Sequence, residues 1–304
     1  MTRTVFLGTS GFAAAILARL ADGPHRPQLV VTRPDRPAGR GRRLSAPPVA
    51  DAARALGLAL AQPEKVNDEA ARARIAAAAP DAVIVCAFGA LIREPLLSDF
   101  EMLNVHPSLL PRWRGAAPVE RAIMEGDGET GVCIMRLTAG LDSGPVCLVG
   151  REPITGADTY GTLTPRLQQL GADLLLRVLD ERPECAEQIE AGVTYAEKIG
   201  PADRTLDPAA TAAVNHRAVR ALTPHIGARV ELADGSGFLG VLRAVVRDPD
   251  VTGALRADGD RLLLGGLELL EVQPAGGRPM DAAAYLRGRR SSSYLPRING
   301  RGDG

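Results

Sequence analysis

Asn104, His106 and Asp142 are the residues of this chain whose types and spacing could do chemistry together. Asn104 and His106 stand two apart in Met102-Leu103-Asn104-Val105-His106, and side chains two apart on a strand share one face. Pro107 and Pro111 follow, and proline lacks the amide donor a ladder needs, so the strand has to end at His106. Asp142 lies in Leu137-Thr138-Ala139-Gly140-Leu141-Asp142-Ser143-Gly144, after the apolar run Val132-Cys133-Ile134-Met135. The glycines and short polar residues make that stretch a loop at the end of a second buried strand, from which the carboxylate could reach His106. A carboxylate beside an imidazole orients the ring and favours its charged form, while an amide donates to an oxygen that gains negative charge. Such a set suits acyl transfer. Taken singly, each residue also fits a structural role: Asn104 satisfying a loop carbonyl, His106 buried with one hydrogen bond, Asp142 capping a helix.

The elements that must position these groups are legible in the pattern. Buried-strand candidates recur at residues 4–8, 28–32, 82–87, 102–106 and 132–136, with alanine-rich helical stretches between most of them. That alternation predicts an α/β fold, a mostly parallel Rossmann-like sheet with helices on both faces. Ligands of such sheets bind beyond the carboxyl ends of the strands, where Asn104 and His106 are expected and which Asp142 is expected to follow. Gly8-Thr9-Ser10-Gly11 lacks the full GxGxxG fingerprint, so those glycines read as turn residues. Helical periodicity at residues 160–180 gives way to a polar stretch through Pro208 that reads as a linker. Beyond it, a helix near 209–222 precedes short segments at 228–232, 237–246, 261–264 and 267–273, rich in Val and Leu and punctuated by glycine, which predict a small C-terminal β-barrel. The expected domains are residues 1–204 and 205–304.

Composition narrows the class. At 304 residues with 24% charged residues the chain has room for two cores and is not dominated by disorder. The N-terminal segment reads as strand, glycine turn and helix without a signal-peptide cleavage site, and no apolar run approaches the roughly 20 residues of a membrane helix. A cytoplasmic protein without a membrane partner is expected, and nothing demands more than a monomer. Cys86, Cys133, Cys147 and Cys185 show no CxxC spacing and lie mostly in apolar runs, so reduced thiols and no metal are expected. Lys65 and Lys198 are the only lysines in a chain of zero net charge, a bias that genome composition explains.

The string Asn-Val-His-Pro-Ser-Leu-Leu-Pro-Arg-Trp-Arg-Gly-Ala-Ala-Pro beginning at Asn104 resembles the signature of enzymes that transfer formyl from 10-formyltetrahydrofolate. Asp142 in Gly140-Leu141-Asp142-Ser143-Gly144 stands where that family's aspartate stands. Further matches, Tyr195-Ala196-Glu197-Lys198 and Gln273-Pro274-Ala275-Gly276-Gly277, carry a similarity to the methionyl-tRNA formyltransferases from Val5 to about Tyr285. The resemblance implies a Rossmann-like catalytic domain and a C-terminal domain of the oligonucleotide-binding kind. It implies Asn104, His106 and Asp142 as catalytic residues, Ser108, Leu109, Leu110 and Pro111 against the folate, a cis Leu110–Pro111 bond, methionyl initiator tRNA as partner and no metal. Phe88-Gly89-Ala90-Leu91 fits a wall for the pteridine ring and ordinary core packing equally. Two stretches depart from the family: Leu222-Thr223-Pro224-His225-Ile226 replaces an aromatic Pro-Trp-Pro segment, and Ser10-Gly11 replaces the more usual Pro before Phe12.

Residues 33–43 hold five arginines and one acid, and their mutual repulsion predicts an exposed, mobile loop. By itself such a cluster fits a solvated basic loop without function. Pro-Asp-Arg-Pro-Ala-Gly-Arg-Gly resembles the loop with which the family engages the acceptor end of tRNA, which implies Arg36, Arg40, Arg42 and Arg43 as tRNA contacts. Formyltransferases acting on small amines, such as glycinamide ribonucleotide or an amino sugar, would share the triad. What separates them is this loop joined to a C-terminal region with thirteen arginines against eleven acids from Asp207 onward. An RNA-binding module on a similar scaffold would not need the three catalytic residues together, and a dinucleotide-dependent dehydrogenase is disfavoured by the incomplete glycine fingerprint.

Overall fold

The computed structural model describes residues 1–38, 43–232, 234–235 and 237–291. Their contacts form two compact units. Unit 1 comprises Met1–Val119, Gly128–Thr155 and Leu163–Lys198; unit 2 comprises Glu120–Asp127, Gly156–Thr162 and the described residues from Ile199.

Unit 1 is built on a seven-stranded sheet. From edge to edge its strands are Val146–Pro153, Glu129–Arg136, Met102–His106, Ala82–Cys86, Thr4–Gly8, Pro27–Val31 and Leu60–Ala61. The last five pair in parallel, while Glu129–Arg136 runs antiparallel to both of its neighbours. The central strands are buried throughout and almost wholly apolar because both of their faces are covered, as in most parallel sheets. One face packs Val5, Leu7, Val83, Val85 and Met102 with Ile75, Phe88 and Leu96. The helix Gly11–Ala21 buries Phe12, Ala13, Ile16, Leu17 and Leu20, a helical stripe, and starts where the Ser10 hydroxyl accepts the Ala13 amide at 3.3 Å. Ser10-Gly11 therefore supplies a helix cap where the family's usual proline would stand.

Unit 2 carries an antiparallel, barrel-like sheet in the order Ala228–Glu231, Phe238–Val246, Leu267–Gln273, Arg261–Leu264, Leu255–Asp258, with Met280–Asp281 also paired to Leu267–Gln273. The helix Ala212–Leu222, capped by Thr211, contributes Val219 and Leu222 to a core with Val230, Leu239, Leu262, Leu264, Leu269 and Val272. The departure at His225 has its own local solution within this unit. Its ring stacks on Tyr160 at 3.6 Å between centroids, and its Nε2 lies 2.9 Å from Glu120 Oε1.

Three expectations are corrected. Cys147 and Cys185 form a disulfide, so only Cys86 and Cys133 are free. The pairing comes from an antiparallel bridge between Val146 and Ala186, a contact across 40 positions that no local pattern announces. The stretch expected as a linker after residue 181 is structured: besides that bridge, Tyr195–Ala196 pairs in parallel with Arg114–Gly115. Because Glu129–Arg136 is antiparallel to Met102–His106, with Leu103 opposite Arg136, the loop bearing Asp142 leaves from the amino end of the Asn104 strand rather than from a parallel carboxyl edge. The edge strand Val146–Pro153 carries no clear strand signal in its sequence, since Gly150, Arg151 and Pro153 dilute its pattern.

Candidate active site

The strand Met102–His106 ends as the prolines require, and it leaves Asn104 and His106 buried at 7% and 4% exposure. The imidazole is anchored by a hydrogen bond at one nitrogen. Its Nε2 lies 2.9 Å from the Trp113 carbonyl oxygen. A carbonyl only accepts, so Nε2 carries a hydrogen and Nδ1 is the nitrogen that faces Asp142. The Trp113 carbonyl is aimed by an unusual backbone, a φ of +63°, with the Trp113 amide donating to Thr194 Oγ1 at 2.9 Å.

Asp142 comes to this pair on a loop that folds back across the sheet face. Its Oδ1 accepts from Asn104 Nδ2 at 3.2 Å, and its Oδ2 accepts the Gly115 amide at 2.9 Å. The same Oδ2 stands 3.6 Å from His106 Nδ1, inside ion-pair range and beyond hydrogen-bond length. One carboxylate thus joins the amide, the imidazole and the Arg114–Gly115 strand. Asp142 itself has a φ of +44°, a conformation that costs a non-glycine residue energy and persists where surroundings enforce it.

Two glycines make the approach possible. At Gly115, with φ +126°, a Cβ would sit 2.7 Å from the Ala196 carbonyl oxygen. At Gly144, which closes the Asp142 loop, a Cβ would run into the Arg136 carbonyl. Larger residues at either position would push the loop or the strand off the carboxylate.

The remaining expected site residues divide. Ser108 is fully buried, its hydroxyl donating to the Arg112 carbonyl at 2.7 Å, so it braces the turn from within. Leu109, Leu110 and Pro111 are half-buried, and the Leu110–Pro111 bond is cis, as the resemblance implied. Phe88 packs in the sheet core while Gly89, Ala90 and Leu91 are exposed, which decides for core packing of the phenyl ring. Arg36 is exposed on a short hairpin whose arms, Arg36–Ala38 and Arg43–Ser45, pair antiparallel. The segment expected as a loop is therefore paired at its base. Arg40 and Arg42 lie outside the described residues, and Arg43 is described only as a strand residue.

Sequence reasoning missed Trp113, Gly115 and Gln188 as groups that aim the expected ones. Gln188 donates to the backbone of the Asp142 loop from 46 positions away, and nothing in its neighbourhood announces this. Neither free cysteine suits a nucleophile's part. Burial pushes the Cys133 thiol up to about 11 and the Cys86 thiol further still. Among the described residues, no group of three or more His, Cys, Asp or Glu gathers as a metal site, and no helix is long and apolar enough to cross a membrane.

The chain is similar to several known proteins. Residues 2–179 match the formyl transferase family. A methionyl-tRNA formyltransferase of Halorhodospira halophila is 44% identical over 302 residues, covering 95% of this chain and 96% of the relative. A methionyl-tRNA formyltransferase from Clostridium thermocellum has a similar fold, with a TM-score of 0.61 at 13% identity over 88% of this chain and 99% of the other. HypX from Aquifex aeolicus, solved with tetrahydrofolic acid, gives a TM-score of 0.64 at 16% identity over 94% of this chain, which spans 47% of HypX.

Proposed function

The chain belongs to the methionyl-tRNA formyltransferase family, and on that premise we propose that it transfers formyl from 10-formyltetrahydrofolate to the α-amine of methionyl initiator tRNA, with Asn104, His106 and Asp142 as the catalytic residues. The observation that carries the assignment of residues is the single carboxylate of Asp142 held between Asn104 Nδ2, the Gly115 amide and His106 Nδ1. Product release gives formylmethionyl-tRNA for translation initiation and tetrahydrofolate, which puts the enzyme's work in the cytoplasm.

In the reaction the amine nitrogen bonds to the formyl carbon, and the carbonyl oxygen takes the electron pair as an oxyanion. Asn104 has two hydrogens on Nδ2, of which one is engaged by Asp142; the other donates to the oxyanion. His106 contributes through Nδ1, because Nε2 is committed to Trp113. In the imidazolium form Nδ1 carries a hydrogen too; at 3.6 Å that hydrogen makes no hydrogen bond to Asp142 and donates to the oxyanion, while the carboxylate stabilises the positive charge. Asp142 helps relay the proton lost by the attacking amine to the leaving nitrogen of the folate. The bond from carbon to that nitrogen then breaks, and tetrahydrofolate departs protonated. No metal is required at any step.

Residues 108–111 meet the folate, with Leu109, Leu110 and Pro111 offering the exposed part and Ser108 bracing them. Arg36, Arg40, Arg42 and Arg43 contact the tRNA acceptor end. The test is incubation with 10-formyltetrahydrofolate and charged initiator tRNA, against uncharged tRNA, free methionine and an amino-sugar acceptor. Formyl appearing only on charged tRNA supports the reading, and formyl on the small amine instead overturns it.

A further inference from the structure

Gln188 sits in a stretch of chain whose neighbours from Ala186 to Gly192 are exposed, yet it alone among them is half-buried. Its side chain makes four hydrogen bonds with both ends used. Nε2 donates to the carbonyls of Asp142 and Gly144, each at 2.8 Å. Oε1 accepts from Arg114 Nε at 3.0 Å and Nη2 at 2.9 Å. Arg114 is buried, at 4% exposure, so its fork is fixed and dictates which way the Gln188 amide points. Two amide hydrogens meeting two carbonyls, and one amide oxygen meeting a two-pronged donor, is a satisfied pattern that no other side chain of that length reproduces.

From these contacts we propose that Gln188, aimed by Arg114, is a positioning residue that holds Asp142 in its working conformation. It rests on the function proposed above and adds a group that touches no substrate. Asp142 occupies the left-handed region at φ +44°, which its surroundings have to enforce. Gln188 grips that residue by its carbonyl, while the Gly115 amide grips the carboxylate at 2.9 Å. Arg114 and Gly115, adjacent on one short strand, therefore fix Asp142 from both sides, one through Gln188 and one directly. The stretch bearing Gln188 is itself anchored by the Val146–Ala186 bridge, at 2.8 and 2.9 Å, and by the Cys147–Cys185 disulfide.

Two substitutions separate positioning from bulk. Gln188→Glu keeps the length and the Arg114 contact but turns an acceptor on both loop carbonyls, whereas Gln188→Ala removes everything. Both should lower kcat by about 10- to 100-fold, the scale of displacing a reacting group by an ångström, with KM for 10-formyltetrahydrofolate within about threefold. Each should cost less than about threefold further in an Asp142→Asn background, because the effect passes through Asp142. A kcat within twofold of the unaltered protein in either single variant would overturn the proposal. So would a full multiplicative loss in the Asp142→Asn background. If the unaltered protein formed no formylmethionyl-tRNA, the function reading would fail by itself. The crystal structure of Gln188→Ala would then decide the positioning claim: loss of the Asp142–Gly115 contact supports it, and an unmoved Asp142 overturns it.

Discussion

Replacing Asp142 with asparagine changes almost no volume, so its effect isolates charge and hydrogen-bond direction. The native carboxylate has two acceptor oxygens, one on Asn104 Nδ2 at 3.2 Å and one on the Gly115 amide at 2.9 Å. An amide has a single oxygen. Keeping that oxygen on Gly115 sets the new NH₂ against the Asn104 NH₂, and the conflict is relieved by turning the Asn104 amide over, which withdraws its donor from the oxyanion. Loss of one such donor costs about 3 to 4 kcal/mol of transition-state stabilisation. The charge lost lies 3.6 Å from His106 Nδ1. Coulomb's law at an effective dielectric of 20 gives a ceiling of about 4 to 5 kcal/mol for a carboxylate and an imidazolium at that distance. The two losses act on one transition state and overlap, so they do not add; the donor loss of about 3 to 4 kcal/mol sets the scale beneath the Coulomb ceiling, and about 1.4 kcal/mol corresponds to tenfold in rate. Asp142→Asn should therefore lower kcat by about 100- to 1,000-fold with little change in KM for the folate. The assay is single-turnover formation of formylmethionyl-tRNA at saturating 10-formyltetrahydrofolate, with thermal unfolding run in parallel to establish that the variant is folded. A folded Asp142→Asn protein within fivefold of the unaltered rate would refute the reasoning.

Gly115→Ala should lower kcat at least tenfold and cost about 1 to 3 kcal/mol of stability, because the added Cβ meets the Ala196 carbonyl and displaces the amide that holds Asp142; kinetics and denaturant melts read both. Replacing Arg36, Arg40, Arg42 and Arg43 together by alanine should reduce the slope of log tRNA affinity against log salt by about 3, with folate binding unchanged, as measured by titration over a salt series. The Arg121 guanidinium at 2.7 Å, aided by the Gly200 amide, holds the Asp203 carboxyl below the ordinary aspartate value of 3.8. Its stabilisation is complete above that value and is lost as pH falls through the lowered one, so the gap in Tm between the unaltered protein and Asp203→Ala should close in acid. Alkylation of the denatured protein should label two cysteines before reduction and four after it, and the folded protein should react slowly at both Cys86 and Cys133.

The strand on which the chemistry is proposed to lie was readable from local pattern alone. Met102–His106 begins and ends where its alternation and its flanking prolines require, because the side-chain period of a strand and the missing amide of proline are local facts. The strands Arg261–Leu264 and Leu267–Gln273 were equally legible, being apolar runs between glycine turns. The triad could be nominated for the same reason: its chemistry is written in residue type, and the two residues on one strand share a face by geometry. How the third member arrives depends on long-range strand pairing. The antiparallel run of Glu129–Arg136 sends the Asp142 loop back over the sheet from the unexpected end, and strand direction is set by which neighbours pair. The same holds for the polar stretch after residue 181, whose composition matches a linker. Its Cys185 pairs with Cys147 and its Gln188 reaches Asp142 because the fold brings together segments roughly 40 positions apart. Those contacts depend on loop closure and on a buried arginine fixing an amide's direction, neither of which leaves a periodic mark in the chain.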